Sequence, residues 1–223
     1  LVPSTGDVNR VPVFDEKRII SNTQFQMEDG IRPAQTPSRP KGWRQLVTPA
    51  DSGVVISLAE SQKIQRLELL QHAQFSFGEP TKEIAKMTSA ILAQEVRSPF
   101  PGTYRIKVEL VADGDAQSFT ELFGNQLTCH LVYFQFTKQD KQIHGRKVMA
   151  EQQIKPSLVD GVQPTSQTFE FTKQFVNATP GSNFSFGLGL GIGFEIRNVS
   201  GRVLSVSKQV SLRVTRYELE FLG

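Results

Sequence analysis

Cysteine is almost missing: Cys129 is the single one in 223 residues. No disulfide can close within the chain, which excludes a cysteine-stapled scaffold. Histidine is scarce as well. His72, His130 and His144 are the three, far apart in sequence, and none has a second ligand at metal-site spacing. His130 follows Cys129 directly, so on a strand the two point to opposite faces and do not form a nucleophile and base through adjacency; a buried packing role suits Cys129 better than reactivity. Long apolar runs are absent too. No window approaches the roughly 18 uninterrupted apolar residues of a spanning helix, so no transmembrane helix is expected. The first residues show no charged start followed by an apolar stretch and a cleavage site. The chain opens on Leu1 rather than Met, consistent with a leader or arm upstream. No Gly-x-Ser-x-Gly elbow, His-Glu-x-x-His pair or phosphate-binding glycine loop is present. The expectation is a protein that is not an enzyme and holds no cofactor or metal.

Charge of one sign is also lacking. Lys plus Arg number 25 against 22 Asp plus Glu, a net +3, with a pI near 9.0. The distribution says more than the total. Arg32, Arg39, Lys41 and Arg44 surround Trp43 with no acid between Ile31 and Ala50. Lys138, Lys141, Arg146 and Lys147 form a second group with His144, interrupted only by Asp140. These eight residues are the candidate nucleic-acid contacts, through phosphates; the alternative is a solvated loop surface.

Residues 1–50 hold six of the 12 prolines and no sustained period. Proline fixes its own backbone and biases the preceding residue towards extended geometry. They read as an extended N-terminal arm, with a short edge strand around Val11, Val13 and Phe14. Residues 51–223 form the second unit. Two-residue alternation marks strands at 54–58 and 64–77, then at Tyr104, Ile106, Val108 and Leu110, ended by the turn pair Asp113-Gly114. That turn also explains Asp113 and Asp115 without a bound cation. Residues 127–136 are apolar on both faces and suit a central strand. Phe169, Phe171 and Phe175 share one side of another. Val210, Leu212 and Val214 are followed by Leu219 and Phe221 after a slip near Arg216, which predicts a bulge. One helix is expected over 81–96, from Thr81 as cap through Ile84, Met87, Ala90 and Ile91 at helical spacing, stopped by Pro99 and Pro101. The fold class is therefore all-β: an antiparallel β-sandwich, jelly-roll-like, with one short helix and an N-terminal arm.

Residues 184–196 alternate without a break, Phe184, Phe186, Leu188, Leu190, Ile192, Phe194 and Ile196 against Ser185, Gly187, Gly189, Gly191, Gly193 and Glu195. Glycine weakens a strand, so a row of four needs a cause, and close approach of something flat is that cause. A strongly bent core strand, an arm or subunit contact at Gly187, Gly189, Gly191 and Gly193, and a membrane-inserting hairpin each satisfy it. Asn177, Asn183 and Asn198 begin matches to the glycosylation pattern. They are read as incidental, or as a mark of secretion.

An arm, some eight strands, one short helix between early strands and a closing C-terminal strand together resemble the single jelly-roll coat proteins of small icosahedral RNA viruses. The resemblance is architectural, covers Ser52 to Gly223 with the arm matching Leu1 to Ala50, and carries no site residue. It implies a capsid subunit that assembles with copies of itself and with other coat subunits, touches viral RNA through phosphates, and resides in the virion after assembly in host cytoplasm. The arm lacks the dense Arg/Lys content common in that family. Plant-virus movement proteins share a related sandwich. The alternative from a different class is a secreted or surface β-sandwich that binds glycan, protein or membrane, with a pore-forming variant.

Overall fold

The computed structural model describes residues 43–62, 69–77, 83–96, 101–139, 142–158, 165–173 and 187–223. Ten strands and one helix run in the order β1 (Arg44–Thr48), β2 (Val54–Gln62), β3 (Leu69–Phe77), β4 (Ser89–Glu95), β5 (Gly102–Gly114), α1 (Ala116–Asn125), β6 (Leu127–Gln139), β7 (Gln142–Ile154), β8 (Thr165–Lys173), β9 (Gly187–Asn198) and β10 (Val210–Phe221). They form two antiparallel five-stranded sheets. The front sheet has the order β1-β4-β9-β6-β7 and the back sheet β2-β3-β10-β5-β8.

The pairings nest. β6 pairs with β7, β5 with β8, β4 with β9 and β3 with β10. Successive pairs fall alternately in the front and back sheets, so the chain is one long hairpin rolled into two layers, the jelly-roll pattern. β1 and β2 extend the layers at one edge each.

The layers meet over a single core. Phe75 of β3 meets Phe194 of β9 edge-on with ring centroids 5.2 Å apart, and Tyr133 of β6 stacks on Phe171 of β8 at 4.3 Å. Trp43, 1% exposed, packs edge-on against Tyr217, whose hydroxyl donates to the Gly193 carbonyl at 3.2 Å. On β10 the core residues Val210, Leu212 and Val214 give way to Tyr217 and Leu219 across a register shift between Val214 and Arg216. The slip near Arg216 is a bulge, and it keeps both halves of a long strand facing inward.

The helix lies elsewhere than expected. Within 81–96, Ile84 makes an isolated bridge to Leu204, Met87 sits at φ +62 in a turn, and Ser89–Glu95 is strand β4 with five consecutive buried residues. A short strand apolar on both faces imitates helical spacing. The observed helix follows β5 instead, so Asp113-Gly114 does not close a hairpin. Asp115 caps that helix, accepting from the Ser118 amide and hydroxyl, each at 3.0 Å, while Lys208 donates to its other oxygen at 2.9 Å. Those bonds, the lysine's first, hold the carboxyl down at about 2. Phe119 and Leu122 face the core at helical i, i+3 spacing.

Arg44–Thr48, inside the stretch read as an arm, is strand β1, paired along its length with β4. Val11, Val13, Phe14 and Phe175 lie outside the described residues.

The glycines of β9 explain the front sheet's shape. Gly189 stands opposite Phe136 and Gly191 opposite Phe134 on β6. A Cβ on Gly189 would lie 2.3 Å from the Phe136 ring, and one on Gly191 2.5 Å from the Phe134 ring. The flat objects are therefore aromatic rings of the adjacent strand. A Cβ on Gly193 would instead lie 2.7 Å from the Leu92 carbonyl oxygen. A ring can pivot and a paired backbone cannot, so Gly193→Ala should cost about 1–3 kcal/mol, as overpacking does, and more than Gly191→Ala. Urea midpoints of the two variants check this, and the reverse order contradicts it.

Candidate functional site

Strand alternation gives the front sheet two faces. One carries Ala90, Leu92, Cys129, Leu131, Tyr133, Ile192, Phe194 and Ile196 into the interlayer core. The other, turned away from that core, carries a second apolar cluster: Ile91 and Ala93 on β4, and Val132, Phe134 and Phe136 on β6, with Leu46 of β1 packed against them. These five core members are 0–2% exposed. No described element packs over them. An antiparallel sheet with a solvated outer face alternates apolar and polar residues; β4 and β6 do not. Ile91, Val132, Phe134 and Phe136 each contribute about 1.5–3 kcal/mol when kept from water, so the outward cluster amounts to a small core of its own.

Beside it on the same face stands a polar cluster. Glu195 of β9, 1% exposed, accepts from the Ser89 hydroxyl at 2.6 Å, from Arg146 Nη2 at 2.8 Å and from Arg197 Nη2 at 2.9 Å. Arg197 also grips Glu151 of β7, through Nη1 at 3.2 Å and Nη2. The cluster thus ties β4, β9 and β7 together across the face. Arg146 links the two halves, with its guanidinium 5.7 Å from the Phe134 ring centroid, a cation–π distance. Two arginines oppose two glutamates, so the cluster is neutral with neutral His130. Burial alone would push the Glu195 carboxyl up, but hydrogen bonds from Arg197 and Ser89 and the two guanidinium charges outweigh it, and the group lies below the ordinary glutamate range. A buried carboxylate so satisfied stays ionised; leaving it unpaired would be costly.

His130 lies at the edge of this cluster, 8% exposed. Its Nε2 bonds the Thr128 hydroxyl at 2.9 Å; its Nδ1 has no hydrogen-bond partner and sits 4.0 Å from a Glu151 oxygen. Burial, then the Arg197 charge, lowers its pKa against the pull of Glu151 and Glu195. Cys129 points into the opposite, interlayer core, and burial raises its thiol far above the usual range. Among the described residues no three of His, Cys, Asp and Glu gather as a metal site, and no helix is long and apolar enough to cross a membrane.

The two basic groups fall apart. Arg44 lies on β1 and Arg146 and Lys147 on β7, the opposite edges of the front sheet. Four strand spacings separate them, about 19 Å. Arg146 is bonded to Glu195, while Lys147 is exposed. Arg32, Arg39, Lys41 and Lys141 lie outside the described residues, as does the side chain of Lys138. Gly187 pairs with Lys138, and Gly189, Gly191 and Gly193 underlie the outward cluster.

Asn198 is no glycan acceptor in the folded chain. It is 7% exposed, its amide nitrogen donates to the Ala85 and Arg202 carbonyls at 2.9 Å each, and its oxygen accepts from the Ser200 amide and hydroxyl. Asn177 and Asn183 lie outside the described residues.

No family profile matches the chain, and no curated protein sequence matches it. Solved structures give distant likenesses. One is a family 4 carbohydrate-binding module, with a TM-score of 0.44 and 12% identity over 82% of this chain and 97% of that one. The C-terminal family 22 carbohydrate-binding module of Clostridium thermocellum Xyn10B gives 0.40 and 10% over 92% and 96%. Tailspike protein 4 of bacteriophage CBA120 gives 0.39 and 11% over 82% of this chain and 20% of that one. Likeness at this level fixes neither ligand nor family.

His130 binds a proton less readily folded than unfolded, so its contribution is complete above the unfolded value near 6.5 and is lost as pH falls through it. The low-lying Glu195 carboxyl contributes above about 4.3 and loses that only at lower pH. Stability should therefore fall between about pH 7.5 and pH 5.5, a window above the carboxylate range. His130→Gln should remove most of that fall. Urea midpoints at the two pH values test it, and a parallel decline in both proteins contradicts it.

Proposed function

We propose that this chain is a non-catalytic β-sandwich binding module and that the ligand of its front sheet is polypeptide. The carrying observation is the outward apolar cluster, buried to 0–2% on the face turned away from the interlayer core. Rings whose outer edges sit over glycines make a shallow surface. An extended chain fits such a surface closely, with alternate side chains towards the sheet. Carbohydrate recognition by stacking asks for an aromatic face open to solvent. None of the described aromatic residues is exposed, which favours peptide over glycan on this face. The nearest candidate along the chain is the proline-rich segment upstream of β1, from the same subunit or from a sister copy. A secreted or surface location accords with this reading.

A second reading, the capsid subunit, is favoured by the nested strand pairing, since jelly rolls of this pattern serve in viral shells as well as in lectins. In that setting the exposed Lys147, with its neighbours Lys138 and Lys141, would meet RNA phosphates non-specifically, and the location would be the virion.

Cross-linking mass spectrometry on the full chain tests the first reading. With a carbodiimide, Lys17 and Lys41 should link to Glu151 on the outward face of the front sheet and not to Glu109 on the back sheet's outer face; links to Glu109 alone would reject it. Electron microscopy separates the second: particles support a shell, and a persistent monomer across salt and pH excludes it.

A further inference from the structure

The outward cluster of the front sheet is 0–2% exposed, and no described element packs over it. That burial is complete within one copy, so its source is the chain itself. The stretches that link described elements are short. None exceeds six residues except 174–186, which has to carry the chain from β8 at the back sheet's edge to β9 in the middle of the front sheet. The 42 residues before Trp43 have no such duty. They join the fold beside the cluster: Trp43 is fixed in the interlayer core against Tyr217, and Arg44 stands in one cross-strand row with Ala93, Gly193 and Val132.

Within those 42 residues the longest run without a charge is 19–27, flanked by Lys17 and Arg18 on one side and Glu28 and Asp29 on the other. It holds Ile19, Ile20, Phe25 and Met27. From Asn22 it alternates, Asn22, Gln24 and Gln26 against Thr23, Phe25 and Met27, so that an extended backbone gives it one amide side and one largely apolar side. An apolar surface accepts such a run without burying a charge. The chain from Met27 to Trp43 can reach about 50 Å when extended, against roughly 19 Å from β1 to β7.

We infer that residues 19–27 of the same chain lie extended over the outward cluster, with Phe25 and Met27 towards Phe134 and Phe136, so that the binding face is self-occupied. This rests on the front sheet being a polypeptide-binding face, and it adds the segment, the copy and the side chains that fill it. Tethered through residues 28–42, the run is held at an effective concentration of roughly millimolar order. It is thereby an internal competitor: an outside polypeptide gains the face by displacing it.

Hydroxyl-radical footprinting of the full chain tests which side of the run meets the sheet. The double variant Phe25→Asp, Met27→Asp should raise modification of Phe134 and Phe136 several-fold. The double variant Gln24→Asp, Gln26→Asp adds the same charge to the other side and should leave both rings as protected as in the wild type. Phe194 in the interlayer core, protected throughout, reports that the sandwich stays folded. Carbodiimide cross-linking of isotope-labelled and unlabelled chains, refolded together from urea, identifies the copy: links between Lys17 and Glu151 should join peptides of one label state only. Double variants that act alike or in the reverse order, or links of mixed label, would overturn the inference and leave the polypeptide reading standing. Rings open to water in the wild type would overturn both.

Discussion

Much of the front sheet depends on two missing methyl groups. Phe134 and Phe136 can reach over β9 because Gly191 and Gly189 have no Cβ there. With any larger residue the rings would have to shift. Rings seated over glycine let Val132, Ile91 and Ala93 close around them, and Phe134 offers Arg146 a surface to rest on while it reaches Glu195. The glycines cost strand stability, and the outward cluster together with the Glu195 bonds offsets that cost on the same face. Structure and candidate site share one cause.

The face divides into unlike halves that support one another. The apolar half lowers the local dielectric around Glu195, which strengthens its bonds to Ser89, Arg146 and Arg197. The polar half fixes β7 against β4 across two intervening strands, holding the rings in register. Nothing in this arrangement resembles an activated nucleophile: the carboxylate is committed to two guanidiniums, the histidine is held towards its neutral form, and the thiol is on the opposite side of the sheet. That arrangement accords with the proposed recognition of a partner by shape and fixed charge.

Much of the fold could be read from residue order because half-buried strands advertise themselves. Tyr104 to Leu110 alternates cleanly since β5 has one face in the core, and the phase slip near Arg216 is visible because a bulge shifts the inward set by one residue. The 81–96 stretch misled for the converse reason. β4 is apolar on both faces, one for the interlayer core and one for the outward cluster, and a run without alternation resembles a helix. The true helix at Ala116–Asn125 was hidden by Asp113-Gly114, which imitates a hairpin turn, although Asp115 three residues before Ser118 carried the capping signal. The glycine row pointed to close approach but could not say by what, since Phe134 and Phe136 are more than fifty residues away in sequence. The cluster around Glu195 was out of reach for the same reason: its members come from three strands that only pairing brings together.

Hydroxyl-radical footprinting of the intact chain tests the central claim most directly, because it reads the access of water to individual rings. If the outward face of the front sheet is a covered contact surface, Phe134 and Phe136 will be protected as strongly as Phe194 in the interlayer core, while Met149 on the exposed edge of β7 is oxidised readily. Modification of Phe134 and Phe136 at rates approaching that of an exposed side chain would contradict it.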